Sequence, residues 1–386
     1  MMPTVVVHPR AVERARRGHP WIYRSDVVEV GARAGDLVRV LGPNGRAVGE
    51  ALYSDRSQIA LRLLVRGERH ADRDWLRERL QAAIALRRGL GIEATAYRLV
   101  HAEGDLLPSL VVDRYGDVLV VQALSQGMDR RLGEVVELLA EELAPAGILA
   151  RNDARVRALE GLERKVEVLR GEVPPRLVVR DRDVEYEVDL RQGQKTGLFL
   201  DQRENRWAAA RYAHGRLLDC FSYDGGFALQ LARRCDEALA VDISPEAAAR
   251  IERNAARNAI GNLLVHVANA FDFLREAERR GERFDTIVLD PPAFAKTRAA
   301  LGKALGGYKE INLRALKLLA PGGVLVTCSC SYHVSEAQLL EVVRAAAVDA
   351  HAALSLVEKR VQSPDHPVLL GVPETDYLKC LILRKL

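Results

Sequence analysis

Apolar residues recur along this chain with two different periods, and the change between them divides it. In the first seventy residues, short β-type runs at Thr4 to His8, Asp36 to Leu41, Val48 to Tyr53 and Ala60 to Val65 are separated by turn residues such as Gly42-Pro43-Asn44-Gly45. Runs of that length bounded by Gly, Pro and Asn predict strands, and their spacing predicts a small β-rich barrel. From Arg73 to Leu90 the period lengthens, with Trp75, Leu76, Leu80, Ala83 and Ile84 on one face of an amphipathic helix. Leu107 to Asp113 and Val118 to Ala123 then flank Arg114-Tyr115-Gly116-Asp117, which reads as a hairpin. A helix over Met128 to Leu143 and strands near Gly147 to Arg151 and Val184 to Leu190 complete a compact α/β module. Pro174-Pro175 marks a connecting loop inside it.

From Gly193 onward the rhythm is strand, turn, helix, repeated. Arg216 to Cys220, Ala238 to Asp242, Leu264 to Ala268, Thr286 to Asp290 and Val324 to Cys328 are strand-like. They alternate with helical patterns at Ala228 to Arg234, Pro245 to Asn258, Phe271 to Arg280, Lys309 to Leu319 and Ser335 to Ala346. Such alternation builds a parallel sheet covered on both faces, with ligands held beyond the carboxyl ends of its strands. The predicted class is α/β in three parts: a small β-barrel over 1–72, a central α/β module over 73–190 and a doubly wound, Rossmann-like sheet over 191–386.

Composition narrows the setting. A chain of 386 residues exceeds one ordinary core, and 48% hydrophobic with 28% charged residues is a globular composition. No apolar run approaches the span of a bilayer, so membrane proteins are excluded. The Val5-Val6-Val7 run precedes the basic residues, the reverse of a secretory signal, and Cys220, Cys235 and Cys380 are scattered within an odd total of five that leaves no disulfide framework; a cytoplasmic location is expected. Net charge is only +4, but residues 1–70 hold twelve Arg and no Lys against seven Asp plus Glu, a net +5. Within that stretch, Glu13 to Arg24 interleaves guanidinium groups with rings, a composition suited to RNA phosphates and unstacked bases. Arg16, Arg17, Trp21, Tyr23 and Arg24 are the candidate RNA contacts, and Trp21 is also expected to pack in the barrel core.

The first strand of the C-terminal region runs into Asp219-Cys220-Phe221-Ser222-Tyr223-Asp224-Gly225-Gly226-Phe227. Paired glycines permit a tight turn and close approach to a ligand, but Phe221 and Tyr223 stand where a dinucleotide fingerprint needs glycine. Asp219 and Asp224 would repel a pyrophosphate and attract a ligand bearing ammonium and sulfonium charges, which describes S-adenosylmethionine. Asp242, seventeen residues past Gly225, is placed to accept from two ribose hydroxyls. Asn269 and Asp272 are candidates to read the adenine amino group.

Two further strands point at the same edge. One delivers Asp290-Pro291-Pro292, where the prolines remove backbone donors and leave Asp290 and carbonyls to orient a base amino group. The other ends in Thr327-Cys328-Ser329-Cys330-Ser331. The one-residue spacing is too short for a zinc clip or a relaxed disulfide, so no metal site is expected and a nucleophile is the functional reading. A thiolate added to carbon 6 of a pyrimidine makes carbon 5 able to attack a methyl donor. Cys330, nearer the strand's carboxyl end, is favoured as the attacking group over the other catalytic candidate, Cys328, with His333 as a neighbour able to act on its proton.

On these residues the chain resembles bacterial cytosine-5 methyltransferases of 23S ribosomal RNA that carry an N-terminal PUA domain, a central α/β domain and a C-terminal class I methyltransferase domain. The resemblance spans essentially all of the chain. It rests on Gly18-His19-Pro20-Trp21-Ile22-Tyr23, Gln194 to Arg203, Asp219 to Phe227, Asp290-Pro291-Pro292 and Ser329-Cys330-Ser331. It implies S-adenosylmethionine as cofactor, Cys330 as the nucleophile, 23S ribosomal RNA as partner and a homodimer. It also implies a Gln194 to Arg203 segment over the cofactor cleft, with Lys195, Thr196, Asp201 and Arg203 polar and Phe199 as an apolar anchor. Thr196 and Arg203 join the cofactor candidates on that ground. One departure stands out: Ala293 follows the prolines where another group of RNA cytosine-5 methyltransferases has a second cysteine, so product release cannot use a thiol there. The rival readings are a guanine-N7 or other nitrogen methyltransferase on the same scaffold, and a non-catalytic RNA-binding assembly factor.

Overall fold

The computed structural model describes residues 2–193, 196–295 and 297–386, so Gln194 and Lys195 of the Gln194 to Arg203 segment lie outside the described residues. The chain forms two compact units. Unit 1 comprises Met1–Val179, Val188–Leu198 and Pro364–Thr375, and unit 2 comprises Arg180–Glu187, Phe199–Ser363 and Asp376–Leu386.

Unit 1 contains two sheets. The first has six strands in the order Trp21–Tyr23, Ile59–Arg66, Ala47–Tyr53, Leu37–Leu41, Thr4–Val7, Val27–Val30. Val5, Val7, Ile22, Val38, Val40 and Leu61 fill its core. The basic segment is more structured than its composition suggests. Pro9–Arg16 is a helix, started by Pro9 at its first turn and buried through Ala11 and Ala15. Ile22, not Trp21, takes the inward position of the strand that follows, a correction to the core role expected for Trp21. The second sheet has five strands ordered Lys165–Gly171, Gly147–Asn152, Val118–Ala123, Leu110–Tyr115, Ala96–His101. The predicted hairpin is its antiparallel pair Leu110–Tyr115 and Val118–Ala123. Helix Arg73–Gly89, capped by the Asp72 carboxylate on the Trp75 amide, buries Trp75, Leu76, Leu80, Ala83 and Ile84 as its spacing requires. The helix expected over Met128 to Leu143 is instead two, Gln126–Arg130 and Leu132–Leu143, broken where Arg131 leaves helical geometry.

Unit 2 carries the seven-stranded sheet that positions the site. Its strands are β1 (Arg216–Cys220), β2 (Glu237–Asp242), β3 (Leu263–Val267), β4 (Phe284–Leu289), β5 (Leu319–Ser329), β6 (Leu354–Arg360) and β7 (Lys379–Lys385), in the order β3-β2-β1-β4-β5-β7-β6. β1 to β5 are parallel. β7 runs antiparallel to both β5 and β6, so the sheet is mixed rather than wholly parallel as the alternation predicted. Because β5 is flanked on both sides, its residues are apolar on both faces: Leu325 joins one core cluster, Val324, Val326 and Cys328 the other. Strand order reverses between β1 and β4. The crevice beyond their carboxyl ends is where a ligand is expected in this topology, and it is where Asp219 and Asp290 arrive.

Candidate active site

The loop after β1 is held in an unusual backbone. Phe221 and Tyr223 both occupy the left-handed region, at φ 64° and 50°, which L side chains with bulk rarely adopt. Such conformations persist where the surroundings over-determine them, and they cluster at functional sites. Here the surroundings are explicit. The Ser222 amide donates to the Val241 carbonyl at 3.1 Å, the Gly225 amide to the Ser222 carbonyl at 2.8 Å, and the Ser222 hydroxyl to the Asp219 carbonyl at 2.7 Å. The Tyr223 amide donates to Asp242 Oδ2 at 2.9 Å, while Asp242 Oδ1 accepts from the Ser244 amide at 2.9 Å. Asp242 therefore stands at the end of β2 with its carboxylate fixed by two backbone donors.

Asp219 is 1% exposed. Its Oδ2 accepts from the Ala228 amide at 3.0 Å, in the first turn of helix Gly226–Ala232, and its Oδ1 is buried with no hydrogen-bond partner among the described residues. Burial, with the charges of Asp290 and Asp242 adding, pushes its carboxyl up to about 7. A buried oxygen lacking a donor, beside two further carboxylates, is the complement of a cationic ligand; these residues fit the ammonium and ribose of S-adenosylmethionine. Asp224 does not join them. It is buried against the Arg250 guanidinium, which corrects the ligand-attracting charge expected there.

Asn269 caps helix Ala270–Arg279, its Oδ1 accepting from the Phe271 amide at 2.9 Å. Asp272, in that helix's first turn, is 75% exposed and 3.3 Å from Arg275. Phe221, Phe271 and Phe294 meet edge-on or tilted, at centroid separations of 6.2, 6.4 and 5.8 Å, and Phe294 reaches Tyr308 at 4.7 Å. This aromatic wall borders the Asp290-Pro291-Pro292 loop, to which Phe294 is attached.

Cys330 follows the last residue of β5 and is half-buried; its sulfur lies 4.0 Å from the Pro291 carbonyl oxygen. Cys328 is fully buried opposite Cys380, and burial drives its thiol well above the ordinary value, a setting for packing rather than for a thiolate. The serines beside Cys330 are tied down: Tyr308 shares hydrogen bonds with Ser329 at 2.9 Å and Ser331 at 3.1 Å, and the Ala295 amide donates to Ser331 Oγ at 3.2 Å. His333 is half-buried, its ring 5.2 Å from that of Tyr332.

Residues outside the predicted set complete this edge. Arg360 Nε donates to Asn205 Oδ1 at 3.0 Å, Asn205 Nδ2 to Gln202 Oε1 at 2.7 Å, and Gln202 Nε2 to Asp290 Oδ1 at 2.9 Å. A guanidinium only donates, so it fixes which way each amide points and delivers an N–H to Asp290. No local motif announces this relay, since its members lie on three separate segments. Arg203 is buried nearby, over the Trp207 ring and 3.6 Å from Glu204.

The remaining candidates lie in unit 1. Thr196 is fully buried, bonded to Asp113 and to the Tyr115 hydroxyl, so its hydroxyl is spent on that unit's own framework and not on a cofactor. Arg24 is likewise engaged internally, donating to the Ser54 and Ser57 carbonyls, a correction to its RNA role. Trp21 is half-buried and donates to Glu103 at 3.0 Å, and the Arg14 guanidinium sits 4.9 Å over Tyr23. Arg16 and Arg17 are exposed. Among the described residues no helix is long and apolar enough to cross a membrane.

Residues 5–66 match a PUA-like domain, and residues 97–384 match the S-adenosylmethionine-dependent methyltransferase family. Ribosomal RNA large subunit methyltransferase I of Tolumonas auensis is 38% identical over 395 residues, covering 100% of both chains. The protein of the same name from Shewanella denitrificans is 38% identical over 391 residues, covering 98% of each. A structure described as a SAM-dependent methyltransferase from Streptococcus mutans matches with a TM-score of 0.84 over 99% of this chain and 100% of that one, at 20% identity, which shows the shared fold.

Proposed function

This chain belongs to the S-adenosylmethionine-dependent methyltransferases that carry a PUA-like domain, and from that premise we propose that it methylates carbon 5 of a cytosine in 23S ribosomal RNA through a covalent bond to Cys330. The observation that carries the reading is the Cys330 sulfur, 4.0 Å from the Pro291 carbonyl on the crevice edge that also presents Asp290. A nitrogen target needs no thiol there.

S-adenosylmethionine supplies an electrophilic methyl group. Asp219 would hold its ammonium, Asp242 its ribose, and Asn269 with Asp272 its adenine, with the backbone of Phe221, Ser222, Tyr223 and Gly225 shaping the turn around it. Asp290, kept an acceptor by the Gln202 amide, orients the exocyclic amine of the target base. Cys330 attacks carbon 6, forming a carbon–sulfur bond and placing electron density on carbon 5. Once carbon 5 has gained its methyl group, a base removes its proton and the carbon–sulfur bond breaks, returning the thiolate. Cys328 packs.

A cytosine in folded RNA must leave its stack to reach such an edge. Exposed Arg16 and Arg17 support a role for the PUA-like domain in gripping neighbouring RNA. The reading includes three functional domains over 1–72, 73–190 and 191–386, work in the cytoplasm and, from the resemblance, a homodimer, which light scattering tests. Bisulfite sequencing of 23S ribosomal RNA methylated by wild-type protein and by Cys330→Ala tests the chemistry. Loss of the modified cytosine in the variant is expected; retained methyl transfer would transfer the assignment to a nitrogen target.

A further inference from the structure

Lys379 opens β7 and lies opposite Ser329 in the antiparallel pairing with β5. Its side chain runs inward and is only 7% exposed. Nζ donates to the carbonyls of Ser331 and Tyr377, both at 2.9 Å. Both acceptors are neutral backbone groups, an expensive place for an ammonium unless its charge serves something close by. One of those acceptors belongs to the residue directly after Cys330.

We infer that Lys379 is a positioning residue for Cys330: its ammonium, anchored on the Ser331 carbonyl, holds the neighbouring sulfur as a thiolate. The inference rests on the reading that Cys330 attacks the base. A cation next to a cysteine favours the ionised sulfur, and a half-buried site strengthens that attraction relative to water. Among the described residues near the sulfur, Asp290 and Tyr308 do not do this, and His333 sits against the Tyr332 ring. Asp290, one residue before the Pro291 carbonyl that contacts the sulfur, opposes ionisation by its charge. Tyr308, tied to Ser329 and Ser331, is neutral, its hydroxyl raised above the ordinary value by burial. Burial lowers the Lys379 ammonium itself, while the charges of Asp376 and Cys330 raise it, so cation and sulfur favour each other's charged form. In the reaction the Cys330 proton leaves to solvent, the sulfur lone pair forms the bond to carbon 6, and elimination returns the pair to sulfur. Lys379 keeps its protons throughout.

The test is the pH dependence of Cys330 alkylation by iodoacetamide in the full-length protein, followed by mass spectrometry with fragment ions separating Cys330 from Cys328. In wild type the midpoint should fall below the ordinary cysteine value of about 8.5. Lys379→Met and Lys379→Gln should each raise it by about one pH unit, roughly a tenfold loss of rate at pH 7, and Lys379→Arg should restore it. Gln keeps a donor for the carbonyls without the charge, so a wild-type midpoint in that variant overturns the inference. So does a wild-type midpoint at or above 8.5, a measurement that needs no variant to fold. Methylation by Cys330→Ala separates the two ideas: if it persists, the nucleophile reading fails; if it is lost while the alkylation midpoint ignores Lys379, only the present inference fails.

Discussion

Replacing Asp219 with asparagine should stabilise unit 2 at alkaline pH while weakening its hold on S-adenosylmethionine. The Asp219 carboxyl is buried and lifted from 3.8 to about 7. In the fold it stays protonated up to about pH 7, whereas in the unfolded chain it ionises near 3.8. Between those values the native state binds the extra proton, so stability falls as pH rises and the loss is complete above about 7. At about 1.4 kcal/mol per pH unit the whole cost is on the order of 4 kcal/mol. Asparagine can still accept from the Ala228 amide and carries no charge, so it escapes that cost. From pH 5.5 to pH 8 the stability gap between variant and wild type should widen by about 2 kcal/mol, the share that falls between 5.5 and 7. Urea unfolding at both pH values, read by hydrogen exchange of the β1 amides, measures the gap. Calorimetry at pH 8 should show the variant binding S-adenosylmethionine at least about tenfold more weakly, the loss of one charge-assisted contact. A gap that does not change with pH, or undiminished binding, would refute the reasoning.

Three further outcomes are expected. Cys328→Ala should keep methylation near the wild-type rate and lower stability by about 1 kcal/mol, because it trims a packed side chain; turnover and urea midpoints decide. Asn205→Asp keeps the shape of the relay and its bond to Arg360 but forces Gln202 to turn its oxygen toward Asp290, so kcat should fall about tenfold or more and recover partly at higher pH. Asn205→Ala removes the relay without inverting it, and an equal loss with an unmoved pH profile would deny the relay its direction. Arg16→Ala and Arg17→Ala should each reduce the salt dependence of RNA affinity by about one ion without altering S-adenosylmethionine binding, as filter binding across a salt series would show.

How much of this was legible before folding depends on how local each feature is. β1 to β5 and the helices between them are written in consecutive apolar runs broken by turn residues, and Asp219, Asp242, Asp290 and Cys330 sit at the ends of such runs, where this topology gathers ligands. β6 and β7 escape because β7 has no crossover helix before it and inserts antiparallel between β5 and β6, so the helix Glu336–Asp349 leads to a strand that is not β5's neighbour. The same gap hides Lys379, a lysine at the head of an apolar strand that reads as surface until β7 is laid against β5. The relay is invisible for a related reason: Gln202, Asn205 and Arg360 acquire meaning only by meeting. Residue type also misled where a tertiary partner was unseen. Arg24 in a basic run looks like a phosphate contact, and Thr196 in a motif looks like a cofactor contact, yet both complete hydrogen bonds inside unit 1.

The interleaving of the two units governs how the chain can be made and taken apart. Unit 1 incorporates Pro364–Thr375, which lies between β6 and β7 in sequence, and unit 2 reaches back for Arg180–Glu187. A nascent chain leaving the ribosome cannot finish its first unit until Pro364–Thr375 has emerged, after most of the second unit has already been made. Nor does any single proteolytic nick release either one whole, and a gene cut at one codon would encode two incomplete bodies.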